Sequence, residues 1–202
     1  LDEDVRDMII EAMPTGQLAD AVSELDTDDA AFVLEDMDEE ARLEVLAEVP
    51  VAERLALLSA LEFDDETAGR LMQREVFAAP SYWTVGQIID RLRSPEELPE
   101  KFYEVFVIDP AFKVTGAVSL SQFLRAPRET VIGDLVGDRE LRRIPVDMDQ
   151  EEVAYLFEKY NLISAPVVDA GDRLVGMITV DDVVEIVHEE THEDMLALAG
   201  VE

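Results

Sequence analysis

Apolar residues over residues 1 to about 63 recur at helical spacing. The groups are Leu18, Val22 and Leu25; Phe32, Val33 and Met37; Leu43, Leu46 and Val49; and Leu55, Leu58 and Leu61. Turn and capping residues break the pattern at Pro14-Thr15-Gly16, Asp26-Thr27, Asp38-Glu39 and Pro50. Asp26, Thr27 and Asp38 are expected N-caps, and the acids after them suit the positive end of a helix dipole. Helices this short do not stand alone in water, so they are expected to stack into a small superhelical domain. Phe63–Gln73, F-D-D-E-T-A-G-R-L-M-Q, reads as the close of the helical part, with Ala68-Gly69 allowing close backbone approach.

From Val76 the pattern changes to strands alternating with helices. Trp83-Thr84-Val85 leads into a helix with Ile88, Ile89 and Leu92 on one face. A proline-bearing loop near 94–100 precedes strands around Phe102–Ile108 and Val114–Val118, then a short helix at Leu120–Leu124. Arg143–Val146 reads as a strand, Asp149 to Tyr160 as a capped helix, Ala165–Val168 and Leu174–Ile178 as strands, and Val180 onward as a helix. Gln73–Ala79 reads as a linker.

Within this half, two stretches about sixty residues apart repeat one pattern. Val105–Leu124 is V-F-V-I-D-P-A-F-K-V-T-G-A-V-S-L-S-Q-F-L, and Ala165–Val184 is A-P-V-V-D-A-G-D-R-L-V-G-M-I-T-V-D-D-V-V. Val107 matches Val167, Asp109 matches Asp169, Gly116 matches Gly176 and Ser119 matches Thr179. Each copy is a strand, a polar turn, a second strand carrying a Gly, and a hydroxyl residue opening a helix.

Charge then narrows the partners. The 202 residues carry 48 acidic and 16 basic side chains, a formal net charge of −32. Residues 1–75 hold 23 of the acids and 5 of the bases, so the helical part is the more negative half. Such a surface repels phosphates and anionic lipid heads, which argues against nucleic acid as a partner. It suits solubility, and it also suits carboxylates that gather cations. With no cysteine, no disulfide, thiolate metal site or thiol nucleophile is available. His188 and His192 stand four apart in H-E-E-T-H, which reads as two solvated imidazoles on a charged helix rather than a zinc protease. No phosphate-cradling glycine loop or Ser-His-Asp order is present, so the expectation is a non-enzyme. No apolar run approaches the roughly 18 residues of a membrane span. The chain begins at Leu1 and is read as a portion of something longer.

The doubled β-α-β-β-α unit, with its Gly-x-x-Ser/Thr step, resembles a tandem pair of CBS domains. An acidic helical domain ending in E-T-A-G-R-L-M, such a pair, and the tail E-E-T-H-E-D-M-L-A-L-A-G-V together resemble the cytosolic part of an MgtE-type magnesium channel. The fold class implied is α+β and multi-domain, an all-α superhelical N-terminal domain followed by the tandem CBS pair. The implied boundaries are 1–70 for the helical domain, 71–132 and 133–187 for the two CBS domains, and 188–202 for the start of a helix toward a membrane pore. The implied function is magnesium sensing on the cytoplasmic face of the cell membrane. The implied partners are a second copy, in a homodimer through the CBS domains, and the protein's own pore.

Several acids are candidate Mg2+ ligands. Asp182, Glu185 and Glu189 lie on one helical face at spacings of three and four, with Glu190, Glu193 and Asp194 on the next turn. Like charges so spaced destabilise a bare helix, and bound cations would compensate. The resemblance places Asp182, Glu190, Glu193 and Asp194 at magnesium positions, together with Asp28, Asp29, Asp149 and Glu151. Phe32 and Asn161 stand where that family often has acids; Asn161 offers a carbonyl without charge. The alternative ligand is an adenosine nucleotide, ATP included, held through Ser119, Thr179 and Asp182. Gln122 in the first copy lacks the acid that Asp182 supplies in the second.

Overall fold

The computed structural model describes residue 10 and residues 12–35, 37–94, 98–99, 101–137, 141–184 and 186–187. The chain divides into two units, Leu1–Asp65 and Glu66–Glu202. The first holds α1 (Thr15–Glu24), α2 (Thr27–Glu35), α3 (Glu39–Glu48) and α4 (Val51–Ala60). Asp38 starts α3 by accepting the amide N–H groups of Glu40 and Ala41, each at 3.0 Å. The Asp26 carbonyl accepts from Ala30 as α2 begins. Pro14 and Pro50 precede α1 and α4, where the missing N–H costs no helix bond.

Alternate helices pack, α1 on α3 and α2 on α4, which is the stacked arrangement the short helices require. Leu18, Val22, Leu34, Val45, Leu46 and Leu57 form the core between them. Each large apolar side chain so buried stabilises the unit by about 1.5–3 kcal/mol. Leu43, Leu55 and Leu58 are exposed, although their spacing grouped them with core positions. A thin stack buries only a narrow stripe of each helix, and period alone does not say which stripe.

The second unit contains two sheets of the same design. The first is β1 (Ala78–Pro80), β2 (Glu104–Ile108) and β3 (Val114–Ser119); the second is β4 (Ile144–Pro145), β5 (Ser164–Val168) and β6 (Leu174–Thr179). In each, the first strand pairs parallel with the second and the second pairs antiparallel with the third. Register is duplicated too, with Val107 opposite Gly116 and Val167 opposite Gly176, and a shift one residue later in both. Helix α5 (Ala68–Leu71) precedes the first sheet. Helices α6 (Val85–Leu92), α7 (Leu120–Arg125) and α8 (Ile132–Leu135) accompany that sheet, and α9 (Gln150–Tyr160) accompanies the second. Residues 180–184 and 186–187 are helical. The fold is therefore an all-helical part followed by paired CBS-like β-α-β-β-α units.

A pseudo-two-fold relates the copies. Phe106 and Val114 of the first share a core cluster with Val168 and Met177 of the second. Lys113 bridges Arg173, and the Ser164 hydroxyl donates to Glu104 at 3.1 Å; each pair joins positions that match in the repeat.

The stretch expected to close the helical part, and the expected linker after it, both differ from the reading. Residues 66–73 build into the second copy instead. Ala68 and Gly69 donate to the carbonyls of Met148 and Val146, and Gln150 donates to the carbonyl of Glu66, all at 2.8 Å. Gln73 and Met177 exchange backbone bonds at 3.0 and 2.9 Å. Phe77 and Ala79 are buried, so Gln73–Ala79 is packed chain rather than a loose linker. Residues 130–136 complete the first copy in the same way: Val85 donates to Thr130, Ile132 to Trp83 and Gly133 to Ser81. Each copy is thus finished by a segment lying before the other in the chain. Among the described residues, no helix is long and apolar enough to cross a membrane.

Candidate functional site

The helix starts concentrate the candidate chemistry. β6 ends at Thr179, which is buried, while Asp181 after it is exposed and Asp182 half-buried. Its backbone N–H donates to Asp182 Oδ2 at 2.6 Å, and its hydroxyl lies 2.6 Å from Asp181 Oδ1 and 2.8 Å from Asp182 Oδ2. A hydroxyl carries one proton and serves one carboxylate at a time. The arrangement therefore concentrates negative charge on one small group. That hydroxyl bond holds the Asp181 carboxyl below its ordinary range, helped by Lys101, whose Nζ lies 3.8 Å from Asp181 Oδ2. In the first copy, Ser119 bonds Gln122 at 3.0 Å and Ser121 at 3.1 Å, with no formal charge among the three. The two matched ends thus differ in charge.

Helix α9 carries the next candidates. Asp149 caps it by accepting the Glu151 N–H at 2.9 Å, and Glu151 and Glu152 occupy the first turn. Asn161 ends it with φ 49°, a left-handed conformation that asparagine tolerates well. Glu151 and Asn161 line one groove of about 910 Å³ together with Tyr155, Leu162, Val183 and Val187. Ten residues of helix separate them, about 15 Å along the axis, too far for a single ion. Asp28 and Asp29 sit in the first turn of α2 in the helical unit, with Asp29 exposed and Asp28 half-buried. Glu185, Glu190, Glu193 and Asp194 lie outside the described residues, as do His188 and His192.

Among the described residues, no three metal-ligating side chains gather at one point. The donors present are carboxylate and amide oxygens in ones and twos, on exposed or half-buried side chains. That set fits magnesium, which keeps several waters and takes only one or two carboxylates directly. Lys101 is a residue near these acids that the sequence reading missed. It sits next to the proline-bearing loop, and nothing local pointed it at Asp181.

Residues 1–66 match the family model of the MgtE intracellular N domain, and residues 132–189 match that of the CBS domain. The magnesium transporter MgtE of Thermus thermophilus is 32% identical over 188 residues, covering 92% of this chain and 39% of that protein. This chain is homologous to the bacterial MgtE magnesium transporters. Two solved structures share its MgtE-like fold at 28% identity. One is the soluble part of a magnesium transporter, with a TM-score of 0.85, covering 94% of this chain and 73% of that one. The other is the cytosolic domain of the Mg2+ channel MgtE in complex with ATP, with a TM-score of 0.84, covering 92% and 76%. The chain spans 31% to 39% of the length of the curated MgtE relatives it matches. MgtE and CBS domains are regulatory and transport domains rather than catalytic ones.

Proposed function

We propose that this chain is the magnesium-sensing regulatory region of a magnesium channel or transporter, working on the cytoplasmic face of the cell membrane beside its own pore. Similarity along more than nine-tenths of the chain to MgtE regions, with helical unit and paired module in the same order, carries the reading. The helical unit acts as the acidic domain, the paired copies as the two CBS domains, and 188–202 as the start of the helix toward the pore. Acidic surfaces that repel one another when bare are held together when Mg2+ bridges them, and this favours the closed state. Asp28, Asp29, Asp149, Glu151, Asn161 and Asp182 contribute oxygens, with Glu185, Glu190, Glu193 and Asp194 on the terminal helix. At a few ångströms in an effective dielectric near 20, each facing carboxylate pair is worth about 4 kcal/mol before salt screens it. Several weak sites closing together sharpen the response.

A second copy of the chain fits the groove beside α9. Tyr155, Val180 and Val187, which line it, are large apolar side chains left exposed, which supports a homodimer through the CBS domains.

A nucleotide-sensing module is the second reading, favoured by the ATP complex of the similar cytosolic domain. Thr179 with Asp182 presents the hydroxyl and acid such a ligand uses, and Ser119 presents a hydroxyl without the acid. The Asp181 and Asp182 carboxylates oppose a phosphate tail, so the cation is preferred. Calorimetry separates the two. Multi-site, millimolar-range magnesium binding in the absence of nucleotide is the expected result. Tight ATP binding with no magnesium heat overturns the leading reading.

A further inference from the structure

We infer that residues 66–73 form a clasp that fastens the helical unit's chain connection to the second copy and holds the opening turn of α9. The first amides of a helix have no partner within it and must find one outside. Gln150, the first residue of α9, gives its N–H to the Glu66 carbonyl at 2.8 Å, and Thr67 bridges Asp149. Ala68 and Met72 are fully buried beneath this contact, and Gln73 closes it against Met177. The first copy has an equivalent seat, in which Val131 bridges Thr84 and Val85 donates to Thr130. That seat is filled by the connection between the copies. Only the second copy is clasped by chain coming directly from the helical unit, whose last residue is Asp65. A pull on residue 65 therefore reaches the turn bearing Asp149 and Glu151 before it reaches the first copy. The clasp deepens the magnesium reading, and rests on it only in that these two acids are ligands.

The glycines provide selective probes. A Cβ at Gly176 would lie 2.7 Å from both the Gln73 carbonyl and Met72 Sδ, so Gly176→Ala pushes the clasp out of its seat. A Cβ at Gly116 would instead meet Val136, loosening the first copy's seat. Hydrogen exchange on the full chain reads both. Gly176→Ala should speed exchange at least about tenfold at Ala68, Gly69, Gln73 and Gln150, leaving Val85, Gly86, Ile132 and Gly133 within about twofold. Gly116→Ala should give the reverse pattern. Met72→Ala, which trims packing without a clash, should move the same amides as Gly176→Ala by about threefold or more, and serves if that variant does not fold. Equal loosening of both sets, or an unmoved Gln150 amide, overturns the clasp. Magnesium added to the unaltered chain should slow exchange at Gln150. Variant patterns as expected with no magnesium effect would uphold the clasp and refute the magnesium reading.

Discussion

Asp149→Asn separates structure from sensing at the start of α9. Asp149 has a structural duty, accepting the Glu151 N–H at 2.9 Å, and a proposed duty as a magnesium ligand. Asparagine caps helices about as well as aspartate, so the hydrogen bond survives the change. What is lost is one charge at a helix N-terminus, about 0.5 kcal/mol at an exposed site, partly offset by relief from Glu151 and Glu152. Asp149→Ala removes the cap as well and should cost about 1–2 kcal/mol. Magnesium binding adds a separate quantity. At a concentration tenfold above its dissociation constant, one site stabilises the folded state by about 1.4 kcal/mol. For a unit the size of Glu66–Glu202 that is roughly 4–6 °C in melting temperature. Thermal melts with and without magnesium should show Asp149→Asn near the unaltered chain without the ion and about 4 °C or more below it with the ion. Two results refute the reasoning. One is a full magnesium shift in Asp149→Asn; the other is a magnesium-free loss as large as that of Asp149→Ala.

Two further outcomes follow from the same helices. Val187→Asp places a charge on an exposed apolar position lining the groove, and should weaken self-association by about 30-fold or more, seen as a shift to monomer in light scattering. An unchanged mass at low micromolar concentration would remove this face from the dimer. Asp181 makes the acid limb of stability steeper. Its folded value lies below the ordinary 3.8, so its contribution is present above that value and disappears as pH falls through the lowered one. Asp181→Asn should flatten the melting temperature's dependence on pH below the ordinary carboxylate value, and an unchanged slope there would remove Asp181 from the acid limb.

Local chemistry made much of this legible. Asp38 and Asp149 announce helix starts because an N-cap is decided within three residues. Val107 opposite Gly116 and Val167 opposite Gly176 follow from a repeat whose alternation is local to one hairpin. The close backbone approach expected at Ala68-Gly69 is present, but the partners of residues 66–73 lie at 146–150 and at Met177, and no local rule names a seat so far along the chain. Leu43, Leu55 and Leu58 fall at helical spacing yet stand exposed, because helical period gives a face but not the neighbour that covers it. In the site, Asp149 and Glu151 share a cap that spacing could predict. The contact of Lys101 with Asp181 depends on how two copies meet, which neither copy's sequence states.

The clasp also sets an order of events during synthesis. The helical unit draws its core from residues 18–57 and can fold as soon as these leave the ribosome. Its connection cannot seat until Met177 has been made, roughly a hundred residues after Gln73. At about 5–20 residues per second, that leaves an interval of about 5–20 s in which buried-to-be Ala68 and Met72 stand open to water. The slots on the first copy are completed earlier, by residues 130–136, and its similar register offers the waiting segment a plausible wrong seat. Thr67 lies 17 residues from Thr84 and Val131 lies 47 from it, so loop closure alone does not protect the correct pairing, and the fit of side chains at each seat has to decide it until the second copy arrives.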